Sequence, residues 1–132
     1  NMNKKSLSSF FGLDSTETEA IRRTQAVIEF DPAGIIQVAN PLFLGAVGYG
    51  IEEIRVQHHR MFVTPEERET PAYKDFWAKL GKGTFVQDQV LRIAKGCRRI
   101  WLQATYTPIL DKAGKVTKVV KFATDITAYM NM

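Results

Sequence analysis

At 132 residues, 45% hydrophobic and 24% charged, the chain has the length of one domain and the composition of an ordinary globular one. Its single cysteine, Cys97, excludes an internal disulfide and a cysteine-based zinc site, and suits a reducing compartment. The formal charge of +4 does not read as nucleic-acid binding: 18 basic residues are mixed with 14 acidic ones, and the densest groups, Arg22-Arg23 and Arg98-Arg99, are dipeptides rather than a clustered face. No apolar run approaches the roughly 20 residues that a membrane span needs, and no signal peptide is visible, so the expected location is cytoplasmic.

The N-terminal segment, residues 1–25, reads as a separate cap. Asp14 to Glu17 and Thr16 to Glu19 both have the capping-box pattern, which predicts a helix from Ser15 to Thr24. That helix carries little apolar surface beyond Ala20 and Ile21, so it is expected to lie on a sheet or on a second subunit. Two strands follow, Ala26 to Phe30 and Ile35 to Val38, joined by Asp31-Pro32-Ala33-Gly34, whose residues each favour a turn. Asn40-Pro41 is an N-cap with proline at the first helical position; Phe43, Leu44 and Val47 then fall at helical spacing and Gly48 closes the helix. Ile51 to Ile54 is a short helical turn. Thr64-Pro65 and Thr70-Pro71 repeat the cap, and the second opens the clearest helix, with Tyr73, Phe76, Trp77 and Leu80 on one stripe and Gly81 or Gly83 at its end.

Three long strands complete the domain: Thr84 to Ala94, Arg99 to Leu110 and Val116 to Ile126. In the middle one, Ile100, Leu102, Ala104 and Tyr106 point one way, while Trp101 and Ile109 point the other. Helices segregated between two groups of strands imply an α+β fold on an antiparallel sheet.

The chemistry-bearing residues are few. His58 and His59 are the only histidines and are adjacent, so on a helical turn their side chains diverge by about 100° and cannot easily serve one metal. A neutral imidazole can ligate haem iron or bond a small acid, or it can simply satisfy a backbone carbonyl. Trp77 and Trp101 can anchor packing without a cofactor, and Asn40 and Tyr49 fit capping and turn roles. Gly45 to Gly50 has the wrong spacing for a nucleotide-binding loop, and neither a Gly-Lys-Ser/Thr loop nor a nucleophile–histidine motif is present. An enzymatic role is not expected.

On Gln25 to Asp31, Gln57 to Val63, Phe76-Trp77 and above all Val119-Val120-Lys121-Phe122-Ala123-Thr124-Asp125-Ile126-Thr127, the sequence resembles the PAS family across residues 26–127, and more narrowly the PAS sensor domains of soluble bacterial methyl-accepting chemotaxis and aerotaxis-type receptors. The resemblance implies a five-stranded antiparallel sheet with short helices across one face, enclosing a pocket. It also implies a signal relay at Asp125, Ile126 and Thr127 into a linker that begins at residues 128–132 and leads to an output domain. His59, Trp77 and Trp101 match residues of the cofactor region of flavin-binding aerotaxis receptors, and His58, Tyr49 and Asn40 join them as candidate ligand-binding positions. Val86 and Arg92 stand where those receptors have Trp and Asn, which ranks haem b, with His59 or His58 on the iron, above FAD; a ligand-free dimerisation module is the alternative. The expected partners are a second copy, through the N-terminal helix and the sheet face, and the receptor's own output domain. Two departures from the family stand out: Arg55-Val56 where a glycine usually follows the acidic turn, and Gly96-Cys97 where the hairpin usually carries Asp-Gly or Asn-Gly.

Overall fold

The computed structural model describes residue 16 and residues 24–130. The N-terminal helix expected from Ser15 to Thr24 lies, but for Thr16 and Thr24, outside the described residues. Five strands form one antiparallel sheet: β1 (Ala26–Phe30), β2 (Ile36–Ala39), β3 (Val86–Ala94), β4 (Arg98–Leu110) and β5 (Val116–Asp125), in the order β2-β1-β5-β4-β3. Between β2 and β3 run α1 (Pro41–Val47), α2 (Ile51–Ile54), a 3-10 turn (His59–Phe62), α3 (Pro65–Arg68) and α4 (Pro71–Gly81); α5 (Thr127–Met130) follows β5. The chain thus has the five-stranded α+β architecture that its element order predicts.

The caps act as their residue types require. Asn40 Oδ1 accepts from the backbone N–H of Phe43 at the start of α1 and from that of Val27 in β1, both at 3.0 Å. Its Nδ2 donates to the Gln25 carbonyl at 2.7 Å, so one fully buried amide fixes a helix to a strand. Thr64 and Thr70 hydroxyls accept from Glu67 and Tyr73 N–H groups, with proline inside each helix start. The apolar stripes of α1 and α4 and the inward rows of the strands meet in one core, with Phe30, Phe43, Phe62, Leu80, Ile100, Leu102 and Tyr106 at its centre. Each such large side chain contributes about 1.5–3 kcal/mol on burial.

Both departures from the family pattern fall at left-handed backbone positions. Val56 and Cys97 have φ of 62°, and they are the non-glycine residues with positive φ among those described. The backbone keeps the conformation that glycine would take, at the cost of crowding Cβ against the carbonyl. Cys97 is exposed, as its hairpin position predicts.

The sheet has a second apolar patch on the face away from α1 and α4. There Val27 and Val120 are fully buried, and Ile109 and Phe122 pack against them. Strand alternation places Trp101, half-buried, on that same outer face.

Candidate functional site

His59 is where the turn after β1, the 3-10 turn, α4 and the inner face of the sheet converge. Asp31 Oδ1 accepts from the N–H groups of Ala33 and Ile35, both at 2.9 Å, which folds the turn; Gly34, at φ 94°, then presents its carbonyl to the His59 N–H at 2.9 Å. A Cβ on Gly34 would stand 2.7 Å from His58 Nε2 and 3.1 Å from the Trp77 ring, so only glycine lets this segment lie so close. His58 caps the 3-10 turn, its Nδ1 accepting from the Arg60 N–H at 3.0 Å, and its ring packs edge-on to Trp77. The two adjacent histidines diverge: His58 is half-buried, and His59 is fully enclosed.

The His59 ring is held at both nitrogens. Nδ1 lies 2.7 Å from Tyr73 Oη and Nε2 lies 2.9 Å from Tyr106 Oη. It stacks on Tyr73 at an interplanar angle of 19° and meets Phe30, Trp77 and Tyr106 edge-on. Behind Tyr106 stand two buried cations. Arg92, 2% exposed, reaches Tyr106 Oη with Nη2 at 3.3 Å. Lys121, 1% exposed, lies over the Tyr106 and Phe43 rings, its Nζ 4.9 Å and 5.6 Å from their centroids.

These partners fix the proton positions. Arg92 donates to Tyr106 Oη and the neighbouring Lys121 ammonium offers no acceptor, so the Tyr106 O–H donates to His59 Nε2. His59 is then the Nδ1–H tautomer and donates to Tyr73 Oη, which also receives the Trp77 indole N–H at 3.2 Å. The Tyr73 O–H is left to donate outward. Burial, reinforced by Arg92 and Lys121, holds the His59 imidazole neutral, far below its ordinary pKa. Burial also lowers the Lys121 ammonium, with Arg92 acting in the same sense and Tyr106 against it. Burial alone would raise the Tyr106 phenol, but Arg92 and Lys121 outweigh it and the net shift is downward. Tyr73, with burial dominant, is pushed up to about 12.

Haem ligation, expected of His59 or His58, does not fit this arrangement. Both His59 nitrogens are committed to tyrosines; His58 Nδ1 accepts from the Arg60 N–H, and its Nε2 is packed against Gly34. Among the described residues no three His, Cys, Asp or Glu side chains converge to hold a metal ion. Of the other sequence candidates, Trp77 joins the cluster. Trp101 does not, because strand alternation turns it to the outer face. Asn40 is the strand–helix clamp, and Tyr49 packs edge-on to Phe62 with Lys95 Nζ 5.7 Å from its ring centroid.

At the end of β5, Asp125 Oδ1 accepts from the Thr127 N–H at 3.0 Å and from its hydroxyl at 2.6 Å. Thr127 Oγ1 in turn accepts from the Trp101 N–H at 2.9 Å, and the Ile126 N–H bonds the Trp101 carbonyl. Sequence reasoning missed Arg92 and Lys121 as site residues, although a signal was present: Lys121 interrupts the apolar inward row Val119-Ala123 of β5, and Arg92 stands between Val90 and Ala94 in the inward row of β3.

Two open cavities border the cluster. One, of about 350 Å³, is lined by His58, Arg60, Arg68, Tyr73, Lys74 and Trp77, with Glu69 at its rim. The other, of about 160 Å³, lies between α4 and β3 beside Arg92.

Comparison with known proteins agrees with this architecture. The chain is 40% identical over 115 residues to the biofilm dispersion protein BdlA of Pseudomonas aeruginosa, an alignment spanning 87% of the chain and 28% of BdlA. Among solved structures, the PAS domain of a Colwellia psychrerythraea protein superposes with a TM-score of 0.73 at 19% identity, over 86% of this chain and 96% of that one. A light-oxygen-voltage domain studied with a flavin analogue gives 0.71 at 20% identity, over 91% and 95%. At that identity the likeness is one of fold. With the PAS fold matched directly over residues 36–123, the sheet order, the helical layer and the 40% relative agree: this chain belongs to the PAS family.

Proposed function

We propose that this PAS domain is the sensory module of a bacterial chemotaxis-type receptor, and that its buried His59 network couples a ligand at the helical face to the exit of β5. One observation carries the reading: hydrogen bonds run from Tyr73, which lines both cavities, through His59 to Tyr106, and the Tyr106 ring lies against the Lys121 ammonium, 4.9 Å from its centroid. Lys121 belongs to the strand that ends at Asp125, where Asp125 and Thr127 fasten the start of α5. A ligand shifts output only through its difference in affinity for two states of the domain, and a contiguous path of contacts lets such a difference at Tyr73 be felt at β5.

No haem takes part in this reading. A flavin, the second cofactor expected from the resemblance, is read directly from the absorbance of the purified protein. The output domain is the partner downstream, in keeping with the 28% of BdlA that the chain spans. A second copy of the chain is the other proposed partner. Among the described residues no helix is long and apolar enough to cross a membrane; the proposed location is the cytoplasm.

The test uses the receptor that carries this domain. Asp125→Ala removes the cap between β5 and α5 without touching the His59 cluster. Ligand binding is expected to persist while output ceases to follow it. Output that still tracks ligand in Asp125→Ala rules out this relay.

A further inference from the structure

We infer that the cavity between α4 and β3 is a binding site for a small monocarboxylate, received by the guanidinium of Arg92. The inference deepens the sensory reading by naming the ligand class, and rests on that reading only for what the binding means.

Arg92 is buried, yet its donors are poorly used. Nη1 donates to the Leu91 carbonyl at 2.8 Å, but reaches Glu67 Oε1 only at 3.5 Å; Nη2 reaches Tyr106 Oη at 3.3 Å; and Nε, also buried, has no hydrogen-bond partner among the described residues. Charge-assisted bonds to a carboxylate normally close to about 2.7–2.9 Å, and a guanidinium prefers a planar two-oxygen partner. A buried fork with an orphan N–H and two long contacts is therefore a receptor for a better acceptor, and the cavity that Arg92 lines is where one can sit.

The rest of the lining defines the ligand. Ala72, Phe76, Val86 and Val90 form an apolar wall, suited to a hydrocarbon body rather than to a phosphate or sulfate. The volume of about 160 Å³ is close to the roughly 150 Å³ that accommodates one benzene ring, so the body is limited to about that size. Asp88 and Glu67 also line the cavity, and their carboxylates disfavour any negative charge beyond the one that Arg92 receives, which selects monocarboxylates over di- and tricarboxylates. The outward O–H of Tyr73, which also lines this cavity, adds a donor linked to His59.

Titration calorimetry of the chain with benzoate, benzamide, phthalate and benzylamine tests the inference. Benzoate is expected to bind saturably in the millimolar range or tighter, with benzamide and phthalate at least about tenfold weaker. Arg92→Lys should weaken benzoate about tenfold or more by losing the planar fork. Val90→Phe should abolish binding by filling the cavity while leaving the cation in place. Glu67→Gln should tighten it, because the internal carboxylate no longer competes for Arg92. Equal affinity for benzamide, preference for benzylamine, no saturable benzoate binding, or wild-type affinity in Val90→Phe would each overturn the site. Benzoate binding that leaves receptor output unchanged overturns the sensory reading and keeps the site. Output that fails in Asp125→Ala with no carboxylate bound in the wild type does the reverse.

Discussion

Replacing Tyr106 by Phe removes one oxygen from the centre of the domain. The ring stays, so no cavity of consequence opens, and the loss is confined to polar bonding. That oxygen donates to His59 Nε2 at 2.9 Å and accepts from Arg92 Nη2 at 3.3 Å, and the buried Lys121 ammonium lies against the same ring. All three partners are at most 2% exposed, so water does not readily replace it. An orphaned buried neutral group costs about 1–3 kcal/mol, and breaking a buried charged contact from one side costs about 3–5 kcal/mol. The contacts with Arg92 and Lys121 are those of a neutral phenol rather than full ion pairs, which places the total near 3–4 kcal/mol, a large share of the roughly 5–15 kcal/mol that holds a domain together. The expected fall in midpoint temperature is about 11–14 °C. Urea unfolding followed by far-ultraviolet circular dichroism measures the loss of free energy, and a thermal melt the shift in temperature. As a comparison, Tyr73→Phe should cost only about 1–2 kcal/mol, because Tyr73 borders open cavities from which water can enter. If Tyr106→Phe costs less than about 0.5 kcal/mol, or less than Tyr73→Phe, Tyr106 is not the hub of the network.

Acid should weaken the domain through His59. Its folded pKa is depressed far below the unfolded value near 6.5, so its contribution is complete above that value. Below it the unfolded state takes up the proton first, and stability falls by up to about 1.4 kcal/mol per pH unit until the folded pKa is reached. His58, lowered mainly by partial burial, acts in the same sense. Urea midpoints from pH 7 down to about 5 should show this slope, and His59→Gln should reduce it; an unaltered slope would exclude His59 as its source. Val56→Gly should stabilise the domain by about 0.5–1 kcal/mol, the relief of a left-handed β-branched residue less glycine's entropy cost. The Val56 side chain is 71% exposed and gives up little packing; a lower urea midpoint in this variant would show that the strain is not there.

Much of the architecture was legible because short-range signals set it. Asp31-Pro32-Ala33-Gly34 bonds within itself, and Asn40, Thr64 and Thr70 cap helices that begin one residue later, so each boundary is written within four residues. The site was legible only at its centre. His59 stood out as one of two histidines, but its partners are contributed by α4, β3, β4 and β5, and only the folded register brings them together. The notion of a haem ligand assumed a free ring nitrogen. Tyr73 and Tyr106, which read as ordinary members of apolar stripes, take both. Trp101 was misjudged as a ligand contact although its own strand alternation turns it outward. The buried cations escaped notice because arginine and lysine are ordinarily solvated, and their inward register matters only once the strand pairing is known.

Among the described residues, the last two of β5 are paired on one side only. The ladder with β1 ends at Ala26 opposite Ala123, whereas the ladder with β4 continues through Thr124 and Asp125 to Gln103 and Leu102. The strand is therefore anchored as a central member of the sheet for most of its length and closes like the tip of a zipper at its exit. Undoing that tip would pay out two residues, about 7 Å of extended chain, while every β1 pairing stays intact. The domain could then adjust the slack and heading of whatever follows it without opening its core.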